Sequence, residues 1–477
     1  MNKVALYVAT ALLSFGLSAP AQHSAQHKTQ DLLIKLAPGF TEVEFQGAKV
    51  EKITDSWVRV LAPKNFSLHN FTKNPAVEFV QPNYKISLMD DYQIQDSLRR
   101  AALAKMIRRN PQPTALAAAD NPAIPDAPQA TTGADPLFPK QWGMLNIGIE
   151  EAWKVTKGNP DFIVAVIDTG VDYTHEDLLP NIWRNTKEIP NNGIDDDNNG
   201  YIDDVIGWDF AANDNKPYDL AMDPLDILFK GGNPGHGTHC AGNVAARGDN
   251  GKGISGVAPN VKIMPLRFIT EKGQGTTADA IKAIKYAVDN GAKVLSNSWG
   301  SEGEDPAEGQ ENQALRDAVQ YAKDHDVLFV AAAGNGHQGK GYSNDTDPKP
   351  SYPATYPHDN IVSVAAIDVR DNLGSFSNWG VKTVHIAAPG VAVYSTMVGN
   401  KYSDIVIDKF GFKATWDGTS MACPHVAGAA ALYWSAHPEK TYADVKAALI
   451  GSAKKLPNLS DKTVSGGKLD VEALLKF

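Results

Sequence analysis

The chain has 477 residues, 43% hydrophobic and 21% charged, a composition that supports a large buried core and excludes a wholly disordered or collagen-like chain. A formal net charge of −10 argues against a basic nucleic-acid-binding surface, and two cysteines exclude a disulfide scaffold. The charge is divided: residues 1–134 carry 14 basic and 11 acidic side chains, residues 135–477 carry 31 and 44, so the front segment has the sign to dock on the acidic remainder.

In chain order, Lys3, the apolar run Val4–Leu17 and the small-residue stretch Ala19-Pro20-Ala21 read as a secretory signal peptide over 1–21. No later stretch reaches membrane-spanning length, which predicts an exported protein, extracellular or periplasmic, with no membrane span after signal removal. Residues 31–89 read as a small α+β unit with strands at Leu32-Leu33-Ile34, Trp57-Val58-Arg59-Val60 and Val77-Glu78-Phe79-Val80. Arg99, Arg100, Arg108 and Arg109 mark a basic helix over 99–109. The Pro/Ala/Thr-rich run to Ala134 closes a linker over 90–134.

From residue 135 to 477 apolar runs suited to buried parallel strands (162–167, 261–268, 293–297, 327–332, 361–366 and 383–387) alternate with helical spacing over 277–289, 312–323 and 441–450. The pattern predicts an α/β fold with a mostly parallel central sheet and helices on both faces. Ligands of such sheets sit at the C-terminal ends of strands.

Three segments carry chemistry. Asp168 ends the buried run Ala165-Val166-Ile167 ahead of Thr169-Gly170; alone it reads as a turn aspartate. His236-Gly237-Thr238-His239-Cys240 opens a small-residue helix, and without the glutamate of H-E-x-x-H it is not a zinc-protease motif. Gly418-Thr419-Ser420-Met421-Ala422-Cys423-Pro424-His425 starts another helix; Ser420 alone reads as a helix cap, Pro424 belongs to the first turn, and G-x-S-x-G is absent. Together, in the order Asp…His…Ser, the segments resemble the subtilase family of subtilisin-like serine proteases. Residues 31–89 resemble that family's inhibitory propeptide, which implies a ferredoxin-like fold for it.

The resemblance implies roles. Ser420 is the expected nucleophile, His236 its base, Asp168 the residue orienting that base, and Asn335, in Ala332-Ala333-Gly334-Asn335-Gly336, an oxyanion donor. Gly273-Gln274-Gly275 matches the edge that pairs with extended peptide substrate. Ser298-Trp299-Gly300 and Ala332-Ala333-Gly334 match the walls of the pocket for the residue before the cut, and Ser351 its base. With no acid assigned there, the expected preference is apolar or broad, and Thr277 and Ala280 suggest a roomy pocket further along. The expected partners are protein or peptide substrates and the chain's own propeptide, and the expected state is a self-processing monomer.

Between Asp168 and His236 lies an acidic insertion in which Asp195-x-Asp197-x-Asn199-Gly200 repeats the start of an EF-hand loop. Ile206 stands where that loop has its bidentate glutamate, so Asp203 or Asp204 must substitute. Close carboxylates repel unless a cation compensates, and structural calcium is expected at Asp195, Asp197, Asn199, Tyr201, Asp203 and Asp204. By the resemblance, Asp177 is a second calcium ligand, with Asp249 and Asn250 nearby. Cys240 and Cys423 are expected as buried free thiols. A catalytically dead binding protein on the same fold, or a calcium-binding surface protein, are rival readings; the complete set Asp168, His236, Asn335 and Ser420 disfavours both.

Overall fold

The computed structural model describes residues 29–64, 66, 71, 73–89, 92, 101, 104–105, 122–125, 133–303, 311–337 and 339–477. The expected signal peptide and most of the basic helix and linker lie outside the described residues.

The front unit contains β1 (Thr29–Leu36), β2 (Lys49–Lys52), β3 (Trp57–Pro63) and β4 (Val77–Pro82), antiparallel in the order β2-β3-β1-β4. Period-two alternation splits β1 between two environments. Leu32, Ile34 and Leu36 join Val58 and Val60 in the unit's own core, while Leu33 faces the other way, into a core shared with the main body. The connection from β1 to β2 is a turn rather than a helix, because Pro38-Gly39 follows the strand and Gly39 takes φ +91°. A further strand, β5 (Lys85–Leu88), leaves this unit and pairs elsewhere.

The main body continues with β6 (Ile163–Asp168), β7 (Trp208–Asp209), β8 (Lys262–Arg267), β9 (Gln274–Thr276), β10 (Val294–Asn297), β11 (Trp299–Glu302), β12 (Leu328–Ala332), β13 (Ser351–Tyr352), β14 (Ile361–Ile367) and β15 (Ile386–Pro389). The hairpins β16 (Ser395–Met397) with β17 (Lys401–Ser403) and β18 (Ile405–Lys409) with β19 (Phe412–Thr415) follow, then β20 (Lys454–Lys455) and β21 (Gly467–Lys468). Its longer helices are α1 (Pro224–Lys230), α2 (His236–Ala245), α3 (Thr277–Asp289), α4 (Gln313–Asp324), α5 (Thr419–Ala436) and α6 (Tyr442–Gly451). The central sheet runs β20-β21-β15-β14-β12-β10-β6-β8-β7, parallel except for the β20–β21 pair.

Both faces of this sheet are covered, so the middles of its central strands are mostly apolar on both faces. In β6, Val164 and Val166 enter the core formed with α2, α5 and α6, whereas Ala165 and Ile167 enter the one formed with α3 and α4. Polar residues at the expected helix starts act as caps. Thr276 Oγ1 accepts from Asp279 N, Asn312 Oδ1 from Leu315 N, and Thr441 closes a capping box with Asp444. The expected strand 383–387 begins only at Ile386, after a turn.

Segment 122–125 of the linker lies against the main body: Tyr173 Oη donates to Pro122 O at 2.8 Å, and Ile124 packs on the core. Among the described residues no helix is long and apolar enough to cross a membrane.

Candidate active site

Asp168 is the last residue of β6 and His236 the first of α2. Both are fully buried, and His236 Nδ1 donates to Asp168 Oδ1 at 2.7 Å. The backbone N–H of Thr169 donates to the same oxygen at 2.7 Å. The elements meet at close range: a Cβ on Gly237 would lie 2.1 Å from Gly170 O, and Gly170 itself takes φ +98°. An imidazole held by a buried carboxylate has its Nδ1–H tautomer fixed, which leaves Nε2 as the basic nitrogen.

Ser420 is the second residue of α5, with Gly418 as the capping residue, so it is a first-turn residue and not the cap that the serine taken alone suggests. A first-turn N–H has no intrahelical acceptor and suits an anion. Pro424 lies within the helix, past the first turn where the sequence placed it. Lacking an N–H, it cannot bond the carbonyl four residues back. That carbonyl is Ser420 O, and it is satisfied instead by Ser298 Oγ at 2.8 Å and the Cys240 thiol at 3.5 Å. The proline is tolerated because two side chains from other elements replace the missing donor. Ser420 Oγ in turn donates to Ser298 O at 3.3 Å, and Cys240 Sγ lies 3.9 Å from His236 Nδ1. The thiol thus touches the backbone of one element and the ring of the other.

Asn335 follows β12. Its Oδ1 accepts from both Thr419 N and Thr419 Oγ1, each at 2.8 Å, which directs the amide's remaining polar group, the NH2 donor, away from Thr419 and ties it to the residue before Ser420.

The edges expected to bind peptide lie on either side of β5. Ile86 pairs with Gly275 and Ser87 with Gln274 on β9, Leu88 N donates to Gly273 O at 3.0 Å, and on β11 Trp299 pairs with Leu88 and Gly300 with Ser87. A Cβ on Gly300 would lie 2.3 Å from Met89 Cε, so the glycine is what admits that side chain. Gly334, at φ +108°, would put a Cβ 2.8 Å from Ser351 Oγ, which places the two expected pocket segments in contact. Ala332 and Ala333 are buried at the end of β12.

Cys240 and Cys423 are buried free thiols. Burial pushes the Cys240 thiol up, and that of Cys423 up to about 12, which keeps both protonated and poorly nucleophilic at neutral pH.

Among the described residues, two groups of ligand-type side chains lie close enough to hold a divalent ion. One is Asp168, His236 and Cys240; the other is Glu188, Asp195 and Asp197, with ligand atoms within 4.8 Å of one another. In the first the Nδ1 proton already joins His236 to Asp168. The second offers three carboxylates, the donor chemistry of a hard cation. Backbone N–H groups hold them in place: Glu188 Oε1 accepts from Asp196 N and Asp197 N, and Asp195 from Asn199 N and Gly200 N.

The other expected ligands make hydrogen bonds and ring contacts of their own. Asp203 accepts from Asn192 N and Gly193 N, while Asp204 faces inward to Tyr286 Oη, Asn199 Nδ2 and Asn185 Nδ2. The Tyr201 ring packs on Trp208 and Tyr286. Asp177 accepts from Asn250 Nδ2 and Ile254 N. Asp135 joins this loop by accepting from Asp249 N and Asn250 N, and burial raises both carboxyls above the usual range. Glu188 and Asp135 were missed because each lies outside the motif it completes. The missing glutamate at position 206 was the one signal that an acid from elsewhere was needed.

The chain matches the Subtilase family over residues 159–467. It is 38% identical over 292 residues to a protein named Thermophilic serine proteinase from Bacillus sp. (strain AK1), covering 61% of this chain and 57% of that one. To Thermitase from Thermoactinomyces vulgaris it is 35% identical over 326 residues, 68% of this chain and 92% of the relative. To Subtilisin-like protease 1 from Plasmodium falciparum (isolate 3D7) the figures are 30% over 346 residues, 69% and 46%. The chain thus spans about half the length of the first and third of these proteins and most of Thermitase.

Proposed function

Because the chain belongs to the subtilase family and is a serine protease, we propose that it is a secreted, calcium-stabilised endopeptidase made as a zymogen. In this reading it releases its own front segment by cutting Met89–Asp90, and it prefers an apolar residue before the cut.

The chemistry follows from the buried pair. Ser420 Oγ attacks the scissile carbonyl while His236 Nε2 takes its proton; the same nitrogen then protonates the leaving amine. Asp168 holds the ring by the 2.7 Å bond and stabilises the imidazolium that forms. The Asn335 side-chain amide and the Ser420 backbone N–H stabilise the developing oxyanion, where loss of one donor typically costs about 10²–10³ in turnover.

The observation that carries the zymogen reading is the seat of β5 between β9 and β11, with Met89 against Gly300. An extended segment paired on both sides is held as a substrate is held. In this reading Met89, which lies against Gly300, is the residue before the cut, and the bond after it is the one that Ser420 attacks. The front unit is fastened by further contacts. Gln81 Oε1 accepts from Ala314 N at 3.0 Å and Asn83 Oδ1 from Ala278 N at 2.9 Å, so two neutral side chains cap the starts of α4 and α3. Trp57 Nε1 donates to Asp317 Oδ2 at 3.0 Å, and Lys282 pairs with Glu51. Such an insert blocks the groove until it dissociates, which supports an inhibitory role after the cut.

Glu188, Asp195 and Asp197 would hold calcium in the acidic insertion, and Asp177 with Asp135 in the other loop; the ion's role there is to cancel carboxylate repulsion and fix the loops.

N-terminal sequencing and mass spectrometry of wild-type protein beside Ser420→Ala test the proposal. Wild type should yield a fragment ending at Met89, and Ser420→Ala should remain joined there. Normal processing of Ser420→Ala at that bond sinks self-cleavage.

A further inference from the structure

Asp219 is fully buried, lies in the loop before α1, and touches neither Asp168 nor His236 through any hydrogen bond it makes. Its Oδ1 accepts from Thr169 Oγ1 at 2.9 Å and Asn233 Nδ2 at 2.6 Å; its Oδ2 accepts from Thr238 N at 2.9 Å and Thr238 Oγ1 at 2.7 Å. Each of these partners adjoins the catalytic pair. Thr169 follows Asp168 on the exit of β6, Thr238 is in the first turn of α2 with His236, and Asn233 Oδ1 accepts from Gly235 N at 2.8 Å and His236 N at 2.9 Å.

The two threonine hydroxyls are laced reciprocally. Thr169 Oγ1, on the strand side, accepts from Gly237 N of the helix at 2.9 Å. Thr238 Oγ1, on the helix side, accepts from Asp172 N beyond the strand at 2.9 Å. A hydroxyl has one proton; because each donates it to Asp219, each presents lone pairs to the backbone N–H of the opposite element. Asn233 is oriented in the same way, since its NH2 goes to Asp219 and so its carbonyl oxygen caps the helix start. An ionised carboxylate, which only accepts, satisfies all four donors at once.

We propose that Asp219 is a positioning residue of the catalytic pair, its carboxylate ordering the hydroxyls and the amide that lace the end of β6 to the start of α2. An amide in its place fails in either orientation. With Nδ2 at the Oδ1 position it faces the Asn233 NH2, and at the Oδ2 position it faces the Thr238 N–H. The clearance between the elements is small, as the 2.1 Å approach at Gly237 shows, so a slip of either changes the His236–Asp168 bond. Misplacement by about 1 Å can cost about 10²-fold in rate.

The inference rests on the roles proposed for Asp168, His236 and Ser420, and its test is kept separate. If those roles are wrong, Ser420→Ala retains activity whatever Asp219 does. With Ser420→Ala inactive, Asp219→Asn should lower kcat by about 10-fold or more while KM stays within about threefold, the signature of a loss felt in the transition state. The low-field proton resonance of the His236 Nδ1–H should shift or broaden in Asp219→Asn, while the melting of Asp219→Asn/Ser420→Ala stays cooperative. Should Asp219→Asn not yield folded protein, Thr169→Val set against Thr169→Ser reads the same lacing: the serine variant should keep kcat and the valine variant lose it. A folded Asp219→Asn with kcat within about twofold of wild type overturns the proposal, as does a Thr169→Val enzyme indistinguishable from Thr169→Ser.

Discussion

The Ser298 hydroxyl stands in for the helical N–H that Pro424 withholds from the Ser420 carbonyl, donating to it at 2.8 Å. The residue proposed as the nucleophile is therefore anchored by a side chain from the proposed pocket wall. Ser298→Ala leaves that buried oxygen with only the Cys240 thiol at 3.5 Å, and an under-satisfied buried acceptor costs about 1–3 kcal/mol. Urea melting of Ser298→Ala in a Ser420→Ala background, where self-digestion cannot interfere, should show a loss of that size. Unchanged stability would mean the bond contributes nothing.

The catalytic assignment predicts graded losses. Ser420→Ala and His236→Ala should abolish casein hydrolysis in folded protein, whereas Asn335→Ala should keep KM and lose about 10²–10³ in kcat. Full activity of purified Ser420→Ala would end the mechanism. An Asn335→Ala variant as fast as wild type would remove only the oxyanion role.

What the sequence made legible depends on how far apart the cooperating residues lie. The sheet strands were readable because both faces of β6, β10 and β12 are covered and their residues are apolar except at the strand ends, where Asp168, Ser296 and Asn297 stand. Asn312 and Thr441 were read as the first helical residues, but they cap the helices that follow them. The pairs and clamps were not readable. Glu188 reaches the acidic loop, Asp135 the Asp177 loop and Asp219 the catalytic pair across turns whose path no local pattern specifies. The role of Pro424 was hidden for the same reason, since the donors replacing its N–H come from Ser298, between β10 and β11, and from α2.

Calcium should raise thermal stability, because a ligand bound only by the folded chain stabilises it by mass action. Glu188→Gln separates the insertion from the motif expected there: it should weaken the calcium-dependent rise in melting temperature, since Glu188 shares the cluster with Asp195 and Asp197. The comparison is chelated against calcium-saturated protein in the Ser420→Ala background. Identical melting under both conditions counts against every calcium site proposed above.

Acid stability follows from three buried histidines. Burial lowers His239 and His385 to about 3 and His425 to about 4, below the free value of about 6.5. The unfolded chain then binds protons that the folded chain does not, so their contribution is intact above about pH 6.5 and lost as pH falls below it. The slope is about 1.4 kcal/mol per pH unit for each, which amounts to roughly 4 kcal/mol for the three between pH 7.5 and 5.5. Asp219 acts in the opposite sense. Burial raises it to about 6, above the free carboxyl at about 3.9, so its contribution grows as pH falls through 6 and offsets about 1 kcal/mol at pH 5.5. Denaturant melts of the Ser420→Ala protein at the two pH values check the sum; equal stability at both would show that these histidines are protonated in the folded state.

The last prediction concerns the first cut. Met89 lies against Gly300, whose missing Cβ makes room for it, and its neighbour Leu88 is held by the bond to Gly273 O at 3.0 Å. In the proposed reading the pocket prefers an apolar residue, so a carboxylate placed there would be desolvated without compensation. In the proposed reading position 89 leaves with the front segment, so Met89→Asp changes nothing in the mature enzyme. It should therefore slow the appearance of the fragment ending at residue 89 by about 10²-fold or more, an effect of about 3 kcal/mol, while any enzyme that does mature has wild-type kcat on a peptide substrate. Met89→Leu, which keeps an apolar side chain of similar volume, should process at close to the wild-type rate. If Met89→Asp matures as fast as Met89→Leu and is cut at the same bond, the register read from β5 is not the one the enzyme uses.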